Sequence, residues 1–116
     1  MSNIERRNAP RISVNIPVQL SSRGDAEPAT LTNLSTSGLA CRFEAAISEM
    51  TLVGIDLDLP GVTQTAHVQG VVVRCDKLRG VHPPTYEIGI FFTAMTDATR
   101  ASLAGFVNAQ LASTEQ

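Results

Sequence analysis

The side chains best suited to chemistry are arginines crowded at one end of the chain. Arg6, Arg7, Arg11 and Arg23 fall within the first 24 residues beside a single acid, Glu5, whereas the whole 116-residue chain carries a net charge of −2. A guanidinium presents a planar fork of donors that suits anionic oxygens. This asymmetry is compatible with a local anion site, and equally with a solvated basic tail. It offers no long-range field for polymeric DNA or RNA.

Other chemistry finds little support. The chain has no Gly-x-Ser-x-Gly elbow, Walker-type glycine loop or His-Glu-x-x-His motif. His67 lies inside a strand pattern and His82 in a Pro-rich loop, 15 positions apart, so neither is expected to bind a metal. Cys41 and Cys75 read as small core or near-core thiols. With no Trp, one Tyr and four Phe, the chain lacks the stacking platforms of single-stranded nucleic-acid binders, so an OB-fold reading is a weak alternative. A catalytic barrel has no candidate nucleophile–base pair. What remains is the polar stretch Asn33-Leu-Ser-Thr-Ser-Gly38, which is either a plain turn or a ligand contact.

The elements that must position these residues are mostly strands. Ile12, Val14, Ile16, Val18 and Leu20 alternate as on a strand with one buried face, with Pro17 on the opposite parity suggesting an edge or a bulge. Ser21 to Pro28 should form a turn and Ala29 to Asn33 a second strand. Leu39, Cys41 and Phe43 alternate next, then Val53, Ile55, Leu57 and Leu59. Thr65 to Cys75 begins amphipathic and ends either buried on both faces or bent at Gly70. Tyr86, Ile88, Ile90 and Phe92 make the sixth run. From Thr96 the period lengthens, with Leu103, Phe106, Val107 and Leu111 at helical steps and Thr96 as N-cap. Six short antiparallel strands and one helix predict an all-β, six-stranded barrel of split or Greek-key type, because closure removes exposed edges.

Arg6-Arg7-Asn8-Ala9-Pro10-Arg11 and Asn33-Leu34-Ser35-Thr36-Ser37-Gly38 resemble the Arg-x-x-x-Arg and [Asp/Asn]-x-Ser-x-x-Gly signatures of the PilZ family, in that order and about 22 positions apart. Gly70-Val-Val-Val-Arg74 and Tyr86-Glu-Ile-Gly-Ile-Phe-Phe92 resemble its last two barrel strands, so the likeness runs from Glu5 to Phe106. The resemblance implies a six-stranded barrel with a C-terminal helix and cyclic di-GMP as ligand. It implies a site made of Arg6, Arg7, Arg11, Asn33, Ser35, Gly38 and Arg74, with no further cofactor. Arginine forks can pair with phosphates or guanine O6 and N7, and their flat faces can stack on a base. Asn33 stands where many relatives have Asp, and forgoes a charge-assisted bond to guanine N–H groups.

One domain is expected: an arginine-bearing segment over residues 1–11, a barrel over 12–93 and a helix over 96–112. Residues 1–11 hold only Met1, Ile4 and Ala9 as apolar side chains, so their ordering is expected to follow ligand binding. The output would pass to a separate, unidentified effector protein. With no run near 20 apolar residues and no secretory signal, a cytoplasmic protein without membrane insertion is expected. The alternative is a PilZ-fold adaptor that works through protein contacts without nucleotide.

Overall fold

The computed structural model describes residues 11–22 and 24–114. In chain order these form β1 (Ile12–Ser21), β2 (Ala26–Leu34), β3 (Gly38–Phe43), β4 (Leu52–Leu57), β5 (Ala66–Lys77), β6 (Tyr86–Ala94) and α1 (Asp97–Thr114). The strands pair antiparallel in the order β1-β2-β3-β6-β5-β4, and β4 returns to β1 to close the barrel. The predicted fold class is the observed one.

Alternation explains the strands. On β1, Ile12, Ile16, Val18 and Leu20 are buried while Ser13, Asn15, Pro17 and Gln19 are exposed. A register slip against β2 between Ser13 and Ile16 supplies the bulge that Pro17 suggested. β4 pairs with β1 only from Val18 onward, so Pro17 stands just outside that ladder and its missing N–H removes no bond from it. β2 begins at Ala26, earlier than the alternation indicated, because Ala26–Pro28 pairs with Gln19–Ser21 across the hairpin while pointing no apolar side chain inward. Inside the barrel, Leu31, Leu34, Cys41, Leu57, Val72 and Ile88 have no exposed surface.

On β5, Ala66, Val68, Gly70 and Val72 point inward, and register slips against β6 occur at Gln69/Gly70 and Val72/Arg74. The strand is therefore bent at Gly70 rather than buried on both faces: Val73 is 52% exposed. At Gly70 a Cβ would lie 2.5 Å from Ile90 Cγ2 and 2.8 Å from the Phe91 carbonyl oxygen, so only glycine lets β6 approach this closely.

Thr96 caps α1: its Oγ1 accepts the Thr99 N–H at 3.1 Å, with Asp97 in the first turn. Leu103, Phe106 and Val107 are buried where the helix lies against β5 and β1. Cys41 and Cys75 are free thiols, one buried and one half-buried. Both pair with Ile88 from opposite sides, which sets them roughly 9–10 Å apart, beyond disulfide reach. On the outer face, His67 Nδ1 meets Asp56 Oδ1 at 2.6 Å.

Candidate ligand-binding site

Two bulges decide which polar side chains reach the outside of the barrel. Between Leu31 and Asn33 the β2–β3 register slips by one, so Leu31 opposes Cys41 and Asn33 opposes Ala40. The extra residue, Thr32, lets Leu31 and Leu34 both stay in the core while Asn33 turns outward. On β5 the extra residue is Val73: Val72 opposes Ile90 inside, and Arg74 opposes Gly89 outside. Strict alternation would have carried Arg74 to the same side as Val72.

The outward positions line up. Asn33 pairs with Ala40, Ala40 with Gly89, and Gly89 with Arg74, forming one lateral row over β2, β3, β6 and β5. At about 4.8 Å per strand, Asn33 and Arg74 stand roughly 14 Å apart across a floor of the two smallest side chains. A Cβ at position 89 would lie 3.6 Å from Arg74 Nε and 3.9 Å from its Cζ, so the guanidinium leans over Gly89. Its Nε also meets Asp76 Oδ2 at 3.2 Å.

A cavity of about 400 Å³ opens over this floor. It brings together Arg11, Asn33, Ser35, Gly38 and Arg74, five residues that the sequence singled out. Arg6 and Arg7 lie outside the described residues. The cavity also takes in Val73 and Phe91, each about half exposed, which sequence reasoning missed. Both are apolar on the outward parity of a strand whose other parity already fills the core, and that was the available signal.

The turn from Ser35 to Gly38 holds itself together. The N–H groups of Ser37 and Gly38 each donate to Ser35 Oγ at 3.2 Å, and the Ser35 N–H donates to the Gly38 carbonyl at 2.9 Å. Ser35 is only 4% exposed, so its hydroxyl serves the turn. Gly38 is needed for close approach and not for a left-handed φ: a Cβ there would lie 2.5 Å from the Ile90 carbonyl oxygen. Phe92 N–H, donating to the Ser37 carbonyl at 2.9 Å, ties the turn to β6. Asn33 Oδ1, by contrast, is buried and has no hydrogen-bond partner among the described residues, a costly state.

Comparison with known proteins agrees with this architecture. The model of the PilZ domain matches residues 5–109, and the chain belongs to the PilZ domain family. The Bacillus subtilis inhibitor of motility (MotI/DgrA) superposes with a TM-score of 0.82 at 13% identity, over 96% of this chain and 54% of that one. The PilZ domain of Escherichia coli YcgR with c-di-GMP superposes at 0.73 with 15% identity, over 94% of each chain. The K. pneumonia MrkH–c-di-GMP complex gives 0.75 at 12% identity, over 95% of this chain and 54% of MrkH. This chain thus spans about half the length of the inhibitor of motility and of MrkH. No curated protein matches it.

Proposed function

We propose that this chain is a cyclic di-GMP receptor whose binding surface is the row from Asn33 to Arg74. The observation that carries the reading is the small-residue floor of Ala40 and Gly89, set between an amide and a guanidinium and open toward Arg11. A flat purine fits such a floor, Arg74 offers a stacking face, and the Asn33 amide, by turning its buried oxygen toward the cavity, would accept from guanine N–H donors. Arg11, joined by Arg6 and Arg7 as the sequence proposes, supplies cationic forks for the phosphates. A cavity of about 400 Å³ lies in the usual range for small ligands. Two structural neighbours, the YcgR PilZ domain and MrkH, are complexes with c-di-GMP, which supports the choice of ligand.

The ligand signal is then relayed by residues 1–11 closing over the occupied cavity and presenting a changed surface to a separate effector protein. Isothermal titration with cyclic di-GMP, and with cyclic di-AMP as control, tests the binding step. The reading expects saturable binding of the guanine compound and at least ten-fold weaker binding of the adenine compound, whose edge lacks O6 and the N2 amine. Absence of binding at about 1 mM ligand would reject it in favour of an adaptor that works without nucleotide.

A further inference from the structure

Arg74 does not stand alone at its end of the floor. On β5 it and Asp76 are two positions apart on the outward face, opposite Gly89 and Glu87 of β6, with no register slip between them. Arg74 Nε meets Asp76 Oδ2 at 3.2 Å. A Cβ built on Gly89 would lie 3.4 Å from Arg74 Cβ, 3.6 Å from its Nε and 3.9 Å from its Cζ, so the side chain is folded down over the glycine along its length. Arg74 lines the cavity, whereas Asp76 lies beyond the lining.

An ion pair in this setting has little to offer the fold. The two side chains are 51% and 62% exposed, and exposed pairs add little to stability. The placement of Asp76 is itself unfavourable, because it stands directly opposite Glu87, acid against acid. Glu87 has a cation of its own in Arg42, opposite it on the β3 side. A neutral residue at 76 would relieve the repulsion, yet the chain keeps a carboxylate there. What that carboxylate supplies is direction. It takes the Nε–H and leaves both terminal nitrogens and the flat face of the guanidinium free. An arginine without such a partner samples many rotamers, and a ligand must immobilise it on binding.

We infer that Asp76 is a positioning residue: on the reading that Arg74 stacks on a base of cyclic di-GMP, it holds the guanidinium over Gly89, with its outer face open, before the ligand arrives. It touches no ligand itself. The sign of its effect sets this role apart from plain electrostatics. Cyclic di-GMP is anionic at its phosphates, so removing a nearby acid should tighten binding through charge alone. Removing a positioning carboxylate should weaken it.

Titration calorimetry with cyclic di-GMP reads that sign. Asp76→Ala should weaken binding about three- to ten-fold, the cost of immobilising one freed side chain, with the melting temperature level or higher. Asp76→Asn, which keeps an acceptor oxygen and loses the charge, should recover part of the affinity. In an Arg74→Ala background, Asp76→Ala should weaken binding no further. Without ligand, NMR relaxation of the Arg74 Nε–H should show a restrained side chain in the parent and a mobile one in Asp76→Ala. If the parent binds and Asp76→Ala binds as tightly or more tightly, the role of Asp76 is overturned while the receptor reading stands. An Arg74 Nε–H equally mobile in both proteins overturns it as well. A parent that binds no cyclic di-GMP overturns the receptor reading and this role together.

Discussion

Gly89 lies directly opposite Arg74, whose guanidinium lies over the glycine. A Cβ at 89 would make ordinary contacts, 3.4 Å from Arg74 Cβ, so an alanine fits.

A longer side chain at this position would fill the floor. Gly89→Leu is expected to weaken cyclic di-GMP binding by at least ten-fold with little change in thermal stability, since it points out of the barrel. Gly89→Ala should bind within a few-fold of the parent. Titration calorimetry on both variants reads this, and equal affinity for Gly89→Leu would remove the floor from the site.

Gly38 behaves differently because its obstacle is backbone. A Cβ 2.5 Å from the Ile90 carbonyl oxygen can be accommodated only if β3 and β6 part. Gly38→Ala should therefore destabilise the fold by about 2–3 kcal/mol, as overpacking does, and lower the melting temperature by about 8 °C or more. A calorimetric scan checks it.

Ser35→Ala distinguishes a structural hydroxyl from a ligand contact. It strips the acceptor from two backbone N–H groups, at a cost of about 1–2 kcal/mol. Affinity measured well below the melting transition should fall less than about three-fold. A large affinity loss with unchanged unfolding would assign the hydroxyl to the ligand instead.

The barrel was largely legible because its strands bury one face each. Ile12 to Leu20 and Tyr86 to Phe92 alternate cleanly, and the helix announced itself through Thr96 and the spacing of Leu103, Phe106 and Val107. The site was legible only as motifs. Its geometry depends on Thr32 and Val73, two single-residue bulges that reverse parity, and alternation alone would have pointed Arg74 inward beside Val72. Ala40 and Gly89 carry no polar atoms beyond the backbone, so nothing in their chemistry marked them. Ser35 lines the cavity and its hydroxyl also accepts within the turn, and a sequence does not distinguish those two roles.

Cys41 gives the fold an alkaline limit. Burial, and secondarily the charge of Glu87, pushes its thiol up to about 12. In the unfolded chain the thiol ionises near its ordinary value of about 8.5. Below that value both states are protonated and stability is unaffected. Above it the unfolded state loses its proton first, so stability falls as pH rises toward the folded value, by up to about 1.4 kcal/mol per pH unit. Urea unfolding between about pH 8 and pH 11 should show this slope in the parent and a shallower one in Cys41→Ala. Identical slopes would show that Cys41 does not set the limit.

The proposed binding and relay converge on the arginines before β1. Arg11 lines the cavity and is exposed, and the proposed clamp pairs it with Arg7, four positions earlier, a spacing that extended chain would stretch over roughly 13 Å. That length lets two forks grip different sides of one dinucleotide. Replacing Arg7 and Arg11 together with Ala should remove two multidentate contacts, each worth roughly 1–3 kcal/mol, and weaken binding by about 30-fold or more. The melting temperature without ligand should stay unchanged, because Arg11 is exposed and precedes the core strands. The relay adds a second readout. With only Met1, Ile4 and Ala9 as apolar side chains, residues 1–11 hold too little apolar surface to offset an ordering cost of about 1–2 kcal/mol per residue, so the proposed relay requires phosphate and guanine contacts to supply it. Saturating cyclic di-GMP should then slow tryptic cleavage after Arg6, Arg7 and Arg11 in the parent and leave it unchanged in the double variant. Equal cleavage of the parent with and without ligand, at a concentration where titration shows the site full, would exclude ordering of this segment as the relay while leaving binding itself intact.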